Sequence, residues 1–171
     1  GVKTGGLRGY PARSPSEDPT MAEKLHPTKN DLPSKSRAQL VELLNERLAS
    51  AIDLQYQAKQ AHWNLKGPRF YTLHQLFDEV SEMAEEAVDE LAERAVQLGG
   101  TARGSVRLAA KASALGEYPL DAVNGDEHVA ALSSALAAFG AQMRAGIELA
   151  ASLADADTAD LFTEISRNTD K

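Results

Sequence analysis

The stretch His74–Glu93, HQLFDEVSEMAEEAVDELAE, decides how this chain reads. It lies in a run from Arg69 to Leu98 without glycine or proline, and Gly99-Gly100 ends that run, so one long helix is expected. On that helix His74 and Asp78 stand four residues apart, and so do Asp89 and Glu93. At about 100° per residue the four fall near 0°, 40°, 60° and 100°, a single narrow face. Imidazole and carboxylate donors together suit iron, zinc or manganese. The axial distance then matters. His74 and Asp89 are 15 residues apart, or about 22 Å at the α-helical rise. Ligands of one ion sit roughly 2.0–2.2 Å from it. One straight helix therefore cannot bring the pairs together. Two copies packed antiparallel about a two-fold axis can, with facing residue numbers adding to 167 and the axis near Met83 and Ala84. Such a contact is isologous and makes two equal sites per dimer.

Outward from this helix, Gly67-Pro68 separates it from an earlier run, Arg37–Lys66, again without glycine or proline. There Leu40, Leu43, Leu44, Leu48, Ala51 and Ile52 follow the i, i+3, i+4 spacing of an amphipathic helix. Ser36 with Gln39, and Thr72 with Gln75, have capping-box spacing at the two helix starts. Residues 99–125 hold five of the chain's glycines and one proline, a long connection with room for one short helix near Arg107–Ala112. A third long helix is expected from Asp126 to about Ser152. A fourth starts with Asp157 as N-cap and has room for about four turns. The expected fold is all-α: a ferritin-like four-helix bundle with a short extra helix in its long crossover. Residues 1–36 hold four glycines and five prolines without apolar periodicity. They are expected to form a disordered basic tail, and 37–171 the bundle.

Composition narrows the chemistry. Cysteine is absent, which excludes disulfides, thiolate metal sites and a cysteine nucleophile. Aromatics are 5% of residues, which disfavours a β-sandwich or barrel. No apolar run approaches the ~20 residues of a membrane span and the N-terminus lacks a secretory apolar segment, so a cytoplasmic protein is expected. The net charge of −7 divides into +3 on residues 1–37 and −10 on the rest. An acidic body attracts cations, and a basic arm can touch an anionic polymer.

Taken alone, each i, i+4 pair reads equally well as a solvated face. A histidine such as His62, at the end of the first helix, is more often a capping or core residue than a ligand, and Trp63 a core aromatic. Only the joint pattern favours a metal centre. A zinc hydrolase reading lacks a nearby nucleophile and a third compact ligand set.

Ala61-His62-Trp63-Asn64, Gly67, Leu73-His74, Leu76-Phe77-Asp78, Asp89 and Ala92–Gly100 resemble the Dps mini-ferritins, the DNA-binding proteins from starved cells. Tyr118-Pro119-Leu120 and Asp157-Thr-Ala-Asp160 extend the likeness across 37–171. Its specific element is His-x11-His-x3-Asp-x10-Asp-x3-Glu. The resemblance implies a hollow homododecamer with intersubunit di-iron ferroxidase sites, oxidising Fe²⁺ with hydrogen peroxide in preference to oxygen and storing the ferric mineral. It implies His62, His74 and Asp78 as ligands from one subunit, and Asp89 and Glu93 from the two-fold mate. Lys59 becomes a partner of a ligating carboxylate, and Trp63 a neighbour of the centre with a packing or a redox role. Non-specific DNA contact falls to the tail, through Lys3, Arg8, Arg13, Lys24, Lys29 and Lys35. Twelve tails would carry about +36, so weak contacts can add through multivalency. The alternative is a DNA-compacting nucleoid protein with little ferroxidase activity. Glu127, Asp155 and Asp160 are candidates for pore or inner-surface carboxylates. Glu82 and Glu85 also face each other in the two-fold register. They would repel unless protonated, bridged by a base or metal, or splayed to water. The family's final helix runs further than the stretch after Asp157, so its pore is not carried over.

Overall fold

The computed structural model describes residues 24–171 and is all-helical, in the ferritin-like arrangement expected. Five helices run α1 (Ser34–Asn64), α2 (Phe70–Gln97), α3 (Val106–Ala112), α4 (Gly125–Ser152) and α5 (Ala156–Thr169). Helices α1 and α2 form one tightly packed pair and α4 and α5 another, while the short α3 lies in the crossover against α1. Among the described residues no helix is long and apolar enough to cross a membrane.

The predicted apolar stripe of α1 forms its buried side, with Leu40, Leu44 and Leu48 inaccessible or nearly so, and Leu54 extends it. Leu91, Ala95 and Leu98 of α2, Phe139 and Met143 of α4, and Phe162 and Ile165 of α5 complete the main core. Small residues set the helix spacing. A Cβ on Gly146 would come 3.0 Å from the Phe162 ring, so α4 and α5 approach at a glycine. Gly99 stops α2 with φ of 88°, a left-handed conformation that a side chain resists.

The helix starts differ from the sequence expectation. Helix α1 begins at Ser34, after Pro33, and neither it nor α2 has a side-chain N-cap bond. Ser36, Gln39, Thr72 and Gln75 instead lie inside their helices. The capping box that does form is Asn124 with Glu127 at α4. Helix α5 is capped by Asp155, not Asp157, because Asp155 accepts from the Thr158 backbone N–H. Asp157 is an exposed first-turn residue.

Residues 24–33 have no regular secondary structure, yet they dock on the body. His26 N–H donates to Gly99 O at 2.7 Å, and Leu25 and Leu32 pack on the core. Arg37 ties the same place, donating to Leu32 O and Leu98 O. The tail expected over 1–36 is therefore seen only from Lys24 on, and the expectation of disorder over 1–23 lies outside the described residues.

Candidate metal centre

The end of α1 and the first turns of α2 meet across the tight Gly67 turn, where φ is 113°. This brings His62, His74 and Asp78 together. The His62 and His74 rings stack with centroids 3.5 Å apart and planes 19° from parallel. Phe70, one turn before His74, stacks on its other face at 4.8 Å. The histidines bind each other reciprocally. His62 Nδ1 lies 2.7 Å from His74 O, and His74 Nδ1 lies 2.9 Å from His62 O. A carbonyl only accepts, so each Nδ1 carries the hydrogen. Each Nε2 then keeps its lone pair for a cation, as in metal-ligating histidines. The local cause is the end of α1, whose last carbonyls lack intrahelical partners and offer His62 O to the incoming helix.

Asp78 sits 3.9 Å from His62 Nδ1 through its Oδ1, the oxygen that Lys59 Nζ holds at 2.5 Å. The Lys59 hydrogen bond, opposed by partial burial and aided by nearby positive charge, keeps the Asp78 carboxyl below its ordinary range. Asp78 is thus a carboxylate with one oxygen engaged. Lys59 stands where the sequence expected a carboxylate partner.

Asp89 and Glu93 are not part of this cluster. Both are exposed, further along the uninterrupted α2, with the about 22 Å of helical rise between His74 and Asp89 intact. Among the described residues no group of three or more such side chains is arranged to hold a metal. Trp63 is 60% exposed and has left the core, which removes the packing role within its own chain.

Other expectations change. Ala84 is fully buried in the bundle, so it cannot line a two-fold contact on the ligand face. Its side chain points into the core, on the other face of α2. Glu82 and Glu85 are exposed. Asp155 is buried and bound by Arg94 through 2.9 and 3.1 Å contacts, so it is not a surface carboxylate, while Glu127 is exposed with one oxygen engaged in capping α4. Asp160 is exposed. Of the basic residues expected to touch DNA, Lys24, Lys29 and Lys35 are exposed, and Lys3, Arg8 and Arg13 lie outside the described residues. Phe70 was not foreseen, although its i, i+4 spacing to His74 is the signal that places it.

Comparison with known proteins agrees with this architecture. The ferritin-like domain family matches residues 41–171. A DNA protection during starvation protein of Agrobacterium fabrum is 43% identical over 148 residues, 86% of this chain and 91% of the relative. Among solved structures, an archaeal Dps homologue from Halobacterium salinarum superposes with a TM-score of 0.81 at 27% identity, covering 91% of this chain and 87% of that one. A Dps protein from Vibrio cholerae O1, described as one of a broad superfamily of ferritin-like diiron-carboxylate proteins, superposes with a TM-score of 0.79 at 26% identity. That match covers 90% of this chain and 93% of the other.

Proposed function

Because the chain belongs to the ferritin-like domain family and, within it, to the Dps proteins, we propose that it is a ferroxidase and iron-storage mini-ferritin. Its di-iron sites are built between two-fold-related subunits. The reading rests on one observation: α2 carries two ligand half-sets on one face, too far apart to serve one ion, and each incomplete. An antiparallel mate in the register that sums to 167 supplies each half with the other. Two exposed apolar residues favour that register. Tyr71 and Val96 share the ligand face, are 71% and 56% exposed, and face each other across it. They would cover apolar surface at both ends of the contact.

In this reading Fe²⁺ is the substrate. His62 and His74 offer Nε2, Asp78 offers its free oxygen, and the mate's Asp89 and Glu93 complete the set. A mixed imidazole–carboxylate set with open positions suits Fe²⁺, and zinc or manganese would compete for it. Two Fe²⁺ held together supply two electrons to one hydrogen peroxide. Peroxide is thereby reduced to water without release of hydroxyl radical, which protects DNA. The ferric product is stored inside a closed shell, a homododecamer by family likeness, and the work is cytoplasmic. The test is peroxide-driven Fe²⁺ oxidation alongside light scattering of the assembly, with His74→Ala as control. Rapid oxidation by a large assembly and its loss in the variant are expected; equal rates would refute the site.

The exposed Lys24, Lys29 and Lys35, with the basic residues before them, support DNA contact as a second activity. It should be salt-sensitive and independent of sequence. A gel shift at low salt is the assay. Since residues 24–33 are docked on the body, the truncation to compare removes 1–23, and an unchanged shift would clear the tail of that role.

A further inference from the structure

Tyr118 in the crossover and His128 in the first turn of α4 form a pair that the site above does not use. Tyr118 Oη lies 2.5 Å from His128 Nδ1. Their rings are 17° from parallel with centroids 6.0 Å apart. His128 is 1% exposed, and its Nε2 is buried without a hydrogen-bond partner. Burial pushes the Tyr118 phenol up to about 12, so it keeps its proton at neutral pH and can donate to Nδ1. With Nδ1 accepting, the imidazole hydrogen sits on Nε2, so the hydrogen bond from Tyr118 is made to the nitrogen that can take a proton.

The position of the pair relates it to the candidate site. Tyr118 packs against the apolar cluster that Ala58, Ala61, Leu65, Leu73, Phe77 and Leu132 form. Three of these, Ala61, Leu73 and Phe77, immediately precede His62, His74 and Asp78. Phe77 also meets the His128 ring edge-on at 6.3 Å. The phenol therefore borders the apolar cluster whose members are chain neighbours of the candidate ligands.

We propose that Tyr118 is a redox-active residue that intercepts single-electron oxidant formed at the iron site, with His128 Nδ1 taking its proton. The proposal rests on the ferroxidase reading. When one Fe²⁺ reacts alone with hydrogen peroxide, it yields Fe³⁺, hydroxide and hydroxyl radical. The radical takes one electron from Tyr118 and becomes hydroxide. The phenolic O–H bond breaks as an N–H bond forms on Nδ1, leaving a neutral tyrosyl radical and an imidazolium. A later Fe²⁺ returns the electron, becoming Fe³⁺, and the proton goes back to Oη. Glu127 precedes His128 in the chain. Backbone N–H groups of Val123 and Asn124 hold its carboxyl below the ordinary range, and it lies within electrostatic reach of His128.

A merely structural Tyr118–His128 bond would move stability and leave no radical. The experiment uses the assembled protein carrying Tyr10→Phe, Tyr56→Phe and Tyr71→Phe, which leaves Tyr118 as its only tyrosine. It is grown with ring-deuterated tyrosine, loaded with Fe²⁺, mixed with substoichiometric peroxide and frozen for electron paramagnetic resonance. A deuterium-sensitive tyrosyl signal is expected, and it should fall to background when Tyr118→Phe is added. His128→Phe should keep Fe²⁺ oxidation and lose most of the signal; an unchanged signal would remove His128 as proton acceptor. Fe²⁺ oxidation with no such signal overturns the proposal and leaves the ferroxidase reading standing. No Fe²⁺ oxidation in the parent protein overturns both.

Discussion

Consider two subunits, each broken in a different half-site: His74→Ala in one, Glu93→Ala in the other. Each chain keeps one sound ligand set. The helical rise of about 22 Å from His74 to Asp89 forbids any single chain from using both sets on one ion. In an isologous pair, each site takes its first set from one subunit and its second from the mate. Pairs of identical variants are therefore dead at both sites. A mixed pair has one site carrying both defects and one carrying none. Random pairing makes about half of all pairs mixed, so about one quarter of wild-type sites return. The assay is the peroxide-driven Fe²⁺ oxidation rate of co-expressed variants, with native mass spectrometry counting mixed assemblies. Activity near one quarter of wild type is expected, against near-zero for either variant alone. A mixture in which mixed assemblies form, yet which is no more active than the separate variants, would refute the shared site.

Other consequences concern stability and the carboxylate at the site. Asp155→Asn leaves the largely buried Arg94 with only the exposed Asp157, 4.0 Å away, as a carboxylate and should cost about 3 kcal/mol, read from urea unfolding at fixed protein concentration. Burial alone would raise the Asp155 carboxyl. The Thr158 hydroxyl and backbone N–H together with Arg94 outweigh burial and lower it below 3.8. Its contribution is therefore complete above that ordinary value and is lost as pH falls through the depressed folded one. Accordingly Arg94→Met should show a flatter fall of stability with acid below pH 3.8 than wild type, and an identical fall would contradict the assignment. Lys59→Met removes the hydrogen bond that comes first in lowering Asp78, so an NMR titration of metal-free protein should find that carboxyl moved upward. Gly146→Ala places a methyl 3.0 Å from the Phe162 ring and should cost ~1–3 kcal/mol by overpacking α4 against α5; a higher melting temperature would show that the ring can yield.

Much of this molecule was legible without coordinates, because an α-helix is a local, periodic object. Its pitch follows from backbone geometry, so a sequence read at about 100° and 1.5 Å per residue already places side chains on faces and along an axis. That is why the gathering of His74, Asp78, Asp89 and Glu93 on one face, and the separation that divides them into halves, came from the sequence alone. The order of helices and the short helix in the crossover came from the positions of glycine and proline in the same way. What the linear pattern could not decide were choices between near-equivalent local candidates. Asp155 and Asp157 both precede a residue able to complete a cap. Arg94, 61 residues away, binds Asp155, and that contact accompanies the observed choice. Likewise Ala84, expected near a two-fold axis, lies on the core face, since burial against the other helices claims that side of α2. The reciprocal bonds of His62 and His74, the Lys59 grip on Asp78, the docking of residues 24–33 on Gly99 and the enclosure of His128 beside Tyr118 all join residues from separate elements. No period in the sequence encodes such meetings. They depend on how whole helices settle against one another, and only the tertiary structure decides that.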